Sequence, residues 1–211
     1  MSVLHWRDMP LSGGSEWSGY VASGERVHAV APLPDQFDWL DHCYRTEKEQ
    51  HVWRIWLETG SDSRRSGSQE FFGNVASMLI GRGLMANLSM RENLLLPFLY
   101  RTDSEALAKA AEAVDDVAEY LGVTEHLDER AGERSTYTHA LVSLGRCMLQ
   151  RPEMIIIQDI YIGMMPERAA RFRELSLPVF DELQSGILYF SGSQHEGSGL
   201  RFDRTVLAEG D

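Results

Sequence analysis

Hydrophobic positions along the chain alternate between two periods. From Ser104 to Leu121 the apolar residues Leu107, Ala110, Ala111, Val114, Val117, Ala118 and Leu121 recur at helical spacing, with Ser104 placed as an N-cap and Gly122 as a C-terminal stop. Thr138 to Gln150 reads as a second helix, stopped by Arg151-Pro152, and Glu167 to Gln184 as a third, with a bend expected near Pro178. Gln36 to Arg45 reads as a short helix after a proline-rich turn. Met154-Ile155-Ile156-Ile157 is short and wholly apolar, which suits a strand covered on both faces of a parallel sheet. Arg26–Val30, Val52–Leu57, Ile187–Phe190 and Thr205–Ala208 are further strand candidates, and the Gly/Ser-rich stretches 12–24, 59–69 and 191–199 read as loops. Strands alternating with helices predict an α/β fold around a mostly parallel central sheet.

Composition narrows the class without changing that picture. The 211 residues suffice for one domain with a sizeable core. A net charge of -12 speaks against a general binder of nucleic acid or anionic membrane, although it leaves room for a local basic patch. Two cysteines far apart, Cys43 and Cys147, make no disulfide framework and fit a reducing compartment. No secretory signal and no bilayer-length apolar run is visible, so a membrane role is expected to pass through a partner. The seven histidines show no paired metal spacing, and no metal or cofactor is expected.

Several segments, taken in order, resemble the ATP-binding cassette ATPases. Gly24-Glu25-Arg26-Val27-His28-Ala29-Val30 is similar to the turn and strand that lead into the phosphate loop. The stretch from Gly83 to Leu94, with Leu88-Ser89-Met90-Arg91-Glu92-Asn93 and Pro97 shortly after, is similar to the segment following the glutamine loop. Arg146 and Pro152 match the approach to the Walker B strand, Gly163 and Pro166 the turn after it, and Asp203-Arg204-Thr205-Val206 with Gly210 the chain's end. Tyr161–Glu167 looks like the corresponding turn in ATPases of mammalian-cell-entry (Mla-like) phospholipid transporters. The resemblance implies one P-loop NTPase-like domain over residues 1–211, with a small helical subdomain at about 84–140.

No nucleotide motif is intact. A phosphate loop needs glycines whose N–H groups curl around phosphate, a lysine, and a hydroxyl for magnesium. The matching segment runs Ala31-Pro32-Leu33-Pro34-Asp35-Gln36-Phe37-Asp38-Trp39, with Phe37 at the lysine and Asp38 at the hydroxyl. Gln158 and Asp159 stand at the Walker B aspartate and glutamate, Ile80 at the glutamine, Ser193 at the switch histidine, Met164-Met165 at the aspartate loop, and Arg134–Thr138 at the signature. Leu11-Ser12-Gly13-Gly14 spells a signature but precedes the first strand candidate, and reads as a chance Gly-rich loop. Trp39, Trp53 and Trp56 are set down to core packing rather than adenine stacking, and the acidic run in 112–129 to a solvated helix face.

The expectation is a non-catalytic, pseudo-ATPase subunit of a membrane transporter, with lipid among its cargoes. It would pair with a permease subunit or an intact cassette ATPase as a homo- or heterodimer, at the cytoplasmic face of the membrane. Leu88, Met90, Arg91, Glu92 and Asn93 are the candidate partner-binding residues, with Leu88 and Met90 as apolar anchors. Two rivals stand beside it: an ATPase that works with Asp159 and His195, and a free-standing regulatory protein that keeps the fold alone.

Overall fold

A computed structural model describes residues 1–44, 55–66, 68–79, 83–99, 104–194 and 199–208. The N-terminal half lays down two antiparallel strands, β1 (Ser2–Pro10) and β2 (Glu16–Ala22), then β3 (Arg26–Val30) and α1 (Leu33–Tyr44). β4 (Ile55–Thr59), β5 (Asp62–Arg65), α2 (Gln69–Asn74) and β6 (Val75–Leu79) follow. The second half is α3 (Met90–Leu99), α4 (Ser104–Leu121), α5 (Thr136–Gln150), β7 (Met154–Gln158), α6 (Pro166–Leu183), β8 (Gly186–Ser191) and β9 (Arg204–Leu207).

Two sheets result. One is antiparallel, in the order β2-β1-β4-β5, and the other is wholly parallel, in the order β6-β7-β8-β3-β9. β7 is buried along its whole length, and its side chains divide between two cores. Ile155 and Ile157 join Leu94, Val114, Leu141, Leu144 and Phe172 on the helical side. Met154 and Ile156 join Trp6, Trp39, Leu57 and Phe71 on the side of the antiparallel sheet. β8 repeats the division, with Ile187 and Tyr189 on one face and Leu188 and Phe190 on the other. A strand with no polar alternation is what such two-sided burial requires.

The helix expected at 104–121 spans the residues expected of it, and α6 runs without interruption through Pro178. Elsewhere the outcome differs. The Gly/Ser-rich stretch 12–24 contains β2, in which Trp17 and Val21 point inward while Ser18 and Tyr20 face out. Gly19 is required there because the Trp6 ring lies where a Cβ would be. β1, β5, β6 and α2 were also not anticipated. Of the strand expected at 52–57, residues 55–57 open β4, and 52–54 lie outside the described residues. The helix expected from Gln36 starts three residues earlier, at Leu33.

Both cysteines are free and fully buried. Burial pushes the Cys147 thiol from 9.0 up to about 12, against the opposing pull of Arg146. A folded thiol held protonated while its unfolded counterpart ionises loses its stabilising contribution as pH rises from about 9 to about 12. We expect neither thiol to react with a disulfide reagent at neutral pH until the protein is unfolded, and stability to fall over that alkaline window. Thiol titration with and without denaturant, and denaturation curves against pH, check both.

Candidate functional site

In this fold the carboxyl ends of β3, β7 and β8 are where a nucleotide site would be assembled. The link from β3 to α1 is only Ala31-Pro32. The local sequence explains this: Pro34 suits the first helical turn, where a missing N–H costs nothing, and Asp35 complements the helix dipole. The residues aligned with a phosphate loop are therefore wound into helix. Gln36 is fully buried; its Nε2 donates to the Ala31 carbonyl at 2.9 Å, and its Oε1 accepts from Gln158 Nε2 at 3.2 Å. Gln36, within the segment that resembles a phosphate loop, and Gln158, at the place expected of the Walker B aspartate, thus meet as a buried amide pair.

The neighbouring residues close the same region. Asp35, 4% exposed, accepts from the Ser12 N–H at 2.6 Å and from Ser12 Oγ at 3.2 Å. Phe37 is half-buried against the core of the antiparallel side, and Asp38 is exposed, its carbonyl accepting from His42 Nδ1 at 2.9 Å. Trp39 is fully buried between Trp6 and Phe190, at ring distances of 6.2 and 5.0 Å. Trp56 lies away from the site, stacked on His5 at 5.1 Å. Asp159 is 3% exposed with φ of 40°, and its N–H is given to the Phe190 carbonyl at 3.1 Å.

At the switch position, Ser193 offers its carbonyl to Ser191 Oγ at 2.8 Å. Ser191 Oγ also lies 2.7 Å from His28 Nε2, which leaves the imidazole as the donor in that bond. At the signature position, Ser135 caps α5 by accepting from the Thr138 N–H, and it also accepts from Arg168 Nη1 at 3.3 Å. Arg168 lies 5.6 Å from the centre of the Tyr137 ring. Ile80, Trp53 and His195 lie outside the described residues.

Pro32 and Pro34 have no N–H to offer a phosphate, Gln36 brings a full buried side chain into the first turns of α1, and the end of β7 carries the amide of Gln158. Among the described residues, no group of three or more His, Cys, Asp and Glu side chains could hold a metal ion.

The segment 87–93 also departs from expectation. Met90 is fully buried beside Leu94 in the helical core, so it is no surface anchor. Asn93, also fully buried, accepts from the Met85 N–H and Arg146 Nη2, both at 2.8 Å, and donates to the Met85 and Ser89 carbonyls, both at 3.0 Å. Arg146 in turn donates to the carbonyls of Asn93 and Gly83. Burial lowers its guanidinium to about 10, so it stays charged at neutral pH. Glu92 is exposed but accepts from the Ser89 N–H at 2.7 Å while Ser89 Oγ accepts from the Glu92 N–H at 3.1 Å, a reciprocal cap on α3. Arg91 is half-buried and bonded to Asp115 at 2.8 Å, and Leu88 is half-buried with its carbonyl given to Ala131. Met90 and Asn93 thus serve the interior, while Leu88, Arg91 and Glu92 keep some surface.

Beside that segment lies a feature the sequence did not signal, a groove of about 860 Å³ between α1, α2, β6, α3 and α5. Leu40, Tyr44, Phe72, Leu79, Leu96 and Pro97 give its walls their apolar character. Phe72 and Tyr44 stack in parallel at 5.6 Å, and Tyr44 and Met85 are 40% and 46% exposed.

The chain has the fold of an ATP-binding cassette ATPase, an α/β domain built around a parallel five-stranded sheet. A solved ATP-binding cassette of an ABC transporter in its ADP conformation superposes with a TM-score of 0.62, at 16% identity, over 90% of this chain and 81% of that one. A component of the cbiONQ transporter complex from Clostridium perfringens gives 0.64 at 12% identity, over 90% and 78%. Among curated proteins, the chain is similar to the sulfoquinovosyl glycerol transport ATP-binding protein of Agrobacterium fabrum, at 25% identity over 65% of this chain and 37% of that protein. It is similar to a phosphonates import ATP-binding protein of a Nostoc species at 27% over 65% and 48%, and to the molybdenum import ATP-binding protein of Paramagnetospirillum magneticum at 30% over 60% and 34%. The matches thus span less than half the length of these curated relatives. No family model matches the chain. Among the described residues no helix is long and apolar enough to cross a membrane.

Met90→Asp should lower stability by about 3 kcal/mol or more, because it buries a charge without a partner. Arg91→Ala should cost under about 1 kcal/mol, since its ion pairs are at the surface. Urea denaturation of the purified protein, with no partner present, checks both.

Proposed function

We propose that this chain is a cassette-type subunit of a membrane transporter that neither binds nor hydrolyses ATP and acts through protein contacts. The single observation that carries the reading is the buried Gln36–Gln158 pair, at 3.2 Å, where a phosphate loop and its metal-supporting carboxylate would face each other. The relatives' names speak of ATP binding and of transport or import, and on this reading the chain keeps the cassette fold without the residues for ATP.

The surface we assign to the contact is the apolar groove flanked by α1 and α3, with Met85 at its exposed edge. The membrane subunit of the same transporter is the partner, so that the chain sits at the cytoplasmic face through it, alongside an intact cassette ATPase or a second copy. On this reading residues 84–140 form a helical subdomain of one domain. Lipid stays among the cargoes on the resemblance of Tyr161–Glu167.

Isothermal titration with millimolar Mg-ATP should give no binding heat, and a dissociation constant in the micromolar range would restore the reading of an ATPase working with Asp159. Met85→Glu should reduce co-purification with membranes of the native host severalfold, whereas the distant Lys109→Glu should not. Equal recovery of both variants would remove the groove as the docking surface.

A further inference from the structure

The Gly-rich turn Leu11–Ser15 has no role in the contacts just described, yet it is tied to the centre of the vestigial site. It is a tight turn: the Leu11 N–H donates to the Ser15 carbonyl at 2.8 Å and the Gly14 N–H to the Leu11 carbonyl at 2.9 Å, with Gly14 at φ of 83°. Its apolar member Leu11 is 7% exposed, within the same core as Trp6 and Trp39. Its polar member Ser12 gives both its N–H and its hydroxyl to the two carboxylate oxygens of Asp35, in the first turn of α1. The β1–β2 register shifts between Trp6 and Met9, and the Asp8 N–H is held by Ser18 Oγ at 2.8 Å.

The first turn of a helix favours a negative charge, and in nucleotide-binding folds a phosphate supplies it. Here the chain supplies it internally. Pro32 and Pro34 carry no N–H, and the Gln36 N–H is already given to the Pro32 carbonyl at 3.1 Å, so the helix start is not arranged for an anion from outside. The Asp35 carboxylate provides the charge, and the turn over it provides the donors.

We propose that Leu11–Ser15 is a built-in strap that takes the place of a bound nucleotide, closing α1 onto the antiparallel sheet and holding that half of the molecule in one conformation without a ligand. The proposal rests on the reading that the chain binds no nucleotide. It adds that the docking groove, one wall of which is α1, is presented constantly and not in step with an ATP cycle. In a complex with a live cassette, this half would be the part that does not switch.

Hydrogen exchange on the whole chain tests it. In Asp35→Ala, the Ser12 amide should exchange about tenfold faster or more, the size of a hydrogen bond to a charged group. Asp35→Asn, which keeps one acceptor and guards against a failure of the alanine variant to fold, should give a smaller acceleration. Amides of β7 should be unchanged in both. Adding Mg-ATP to the wild-type protein should leave exchange of residues 11–15 and 33–36 unaltered. If the Ser12 amide exchanges at the wild-type rate in both variants, there is no strap. If Mg-ATP slows exchange at 33–36 in the wild type while the Asp35 variants behave as expected, the Ser12–Asp35 tie exists, but the reading of a nucleotide-free subunit fails and with it the strap's part in place of a nucleotide.

Discussion

The structure depends on where α1 begins. Once the helix starts at Leu33, Gln36 is carried into the interior, and a buried amide must find partners there or cost the fold the price of its desolvation. Ala31 O and Gln158 Nε2 meet that demand. The same start brings Asp35 under the β1–β2 turn and Trp39 between Trp6 and Phe190. The parallel sheet, the antiparallel sheet and α1 are joined through these three side chains. A glycine-rich loop would have left this region open for a ligand; a helix fills it.

The second half of the molecule is organised by a different buried polar centre. Asn93 and Arg146 connect the start of α3, the stretch 83–89 and α5 by bonds to main-chain carbonyls and amides. Gly145, next to Arg146, lets α5 approach α3 and α4, since a Cβ there would lie 2.6 Å from Leu94 Cδ2 and 3.0 Å from Leu121 Cδ1. This centre ties the framework on the helical side of the parallel sheet independently of the Gln36–Gln158 pair on the other side.

Much of the parallel sheet was legible in the sequence, because Met154–Ile157 and Ile187–Phe190 bury both faces and so show unbroken apolar runs. The helix at 104–121 was legible from a single wet face. The antiparallel hairpin was not: Gly19 and the serines of β2 imitate a loop, and the reason for the glycine, the Trp6 ring, is a contact distant in sequence. The departures from the cassette motifs were visible one by one, but the early start of α1 was not. Its signal was Pro34 followed by Asp35, a helix-start pattern inside a segment read as a loop. Met90 was misjudged as a surface anchor although Met90, Leu94 and Phe98 share one helical stripe, the mark of a face turned inward. The groove left no signal, since it is assembled from five elements.

The central claim is that Gln36 and Gln158 pair inside the region where a nucleotide would lie. A double-mutant cycle of Gln36→Ala and Gln158→Ala, read by urea denaturation, measures that pairing directly. The account predicts that each single variant destabilises the fold, and that together they cost less than the sum by about 1 kcal/mol, the net worth of a neutral hydrogen bond. Strictly additive effects would show that the two amides do not meet, and would contradict the account.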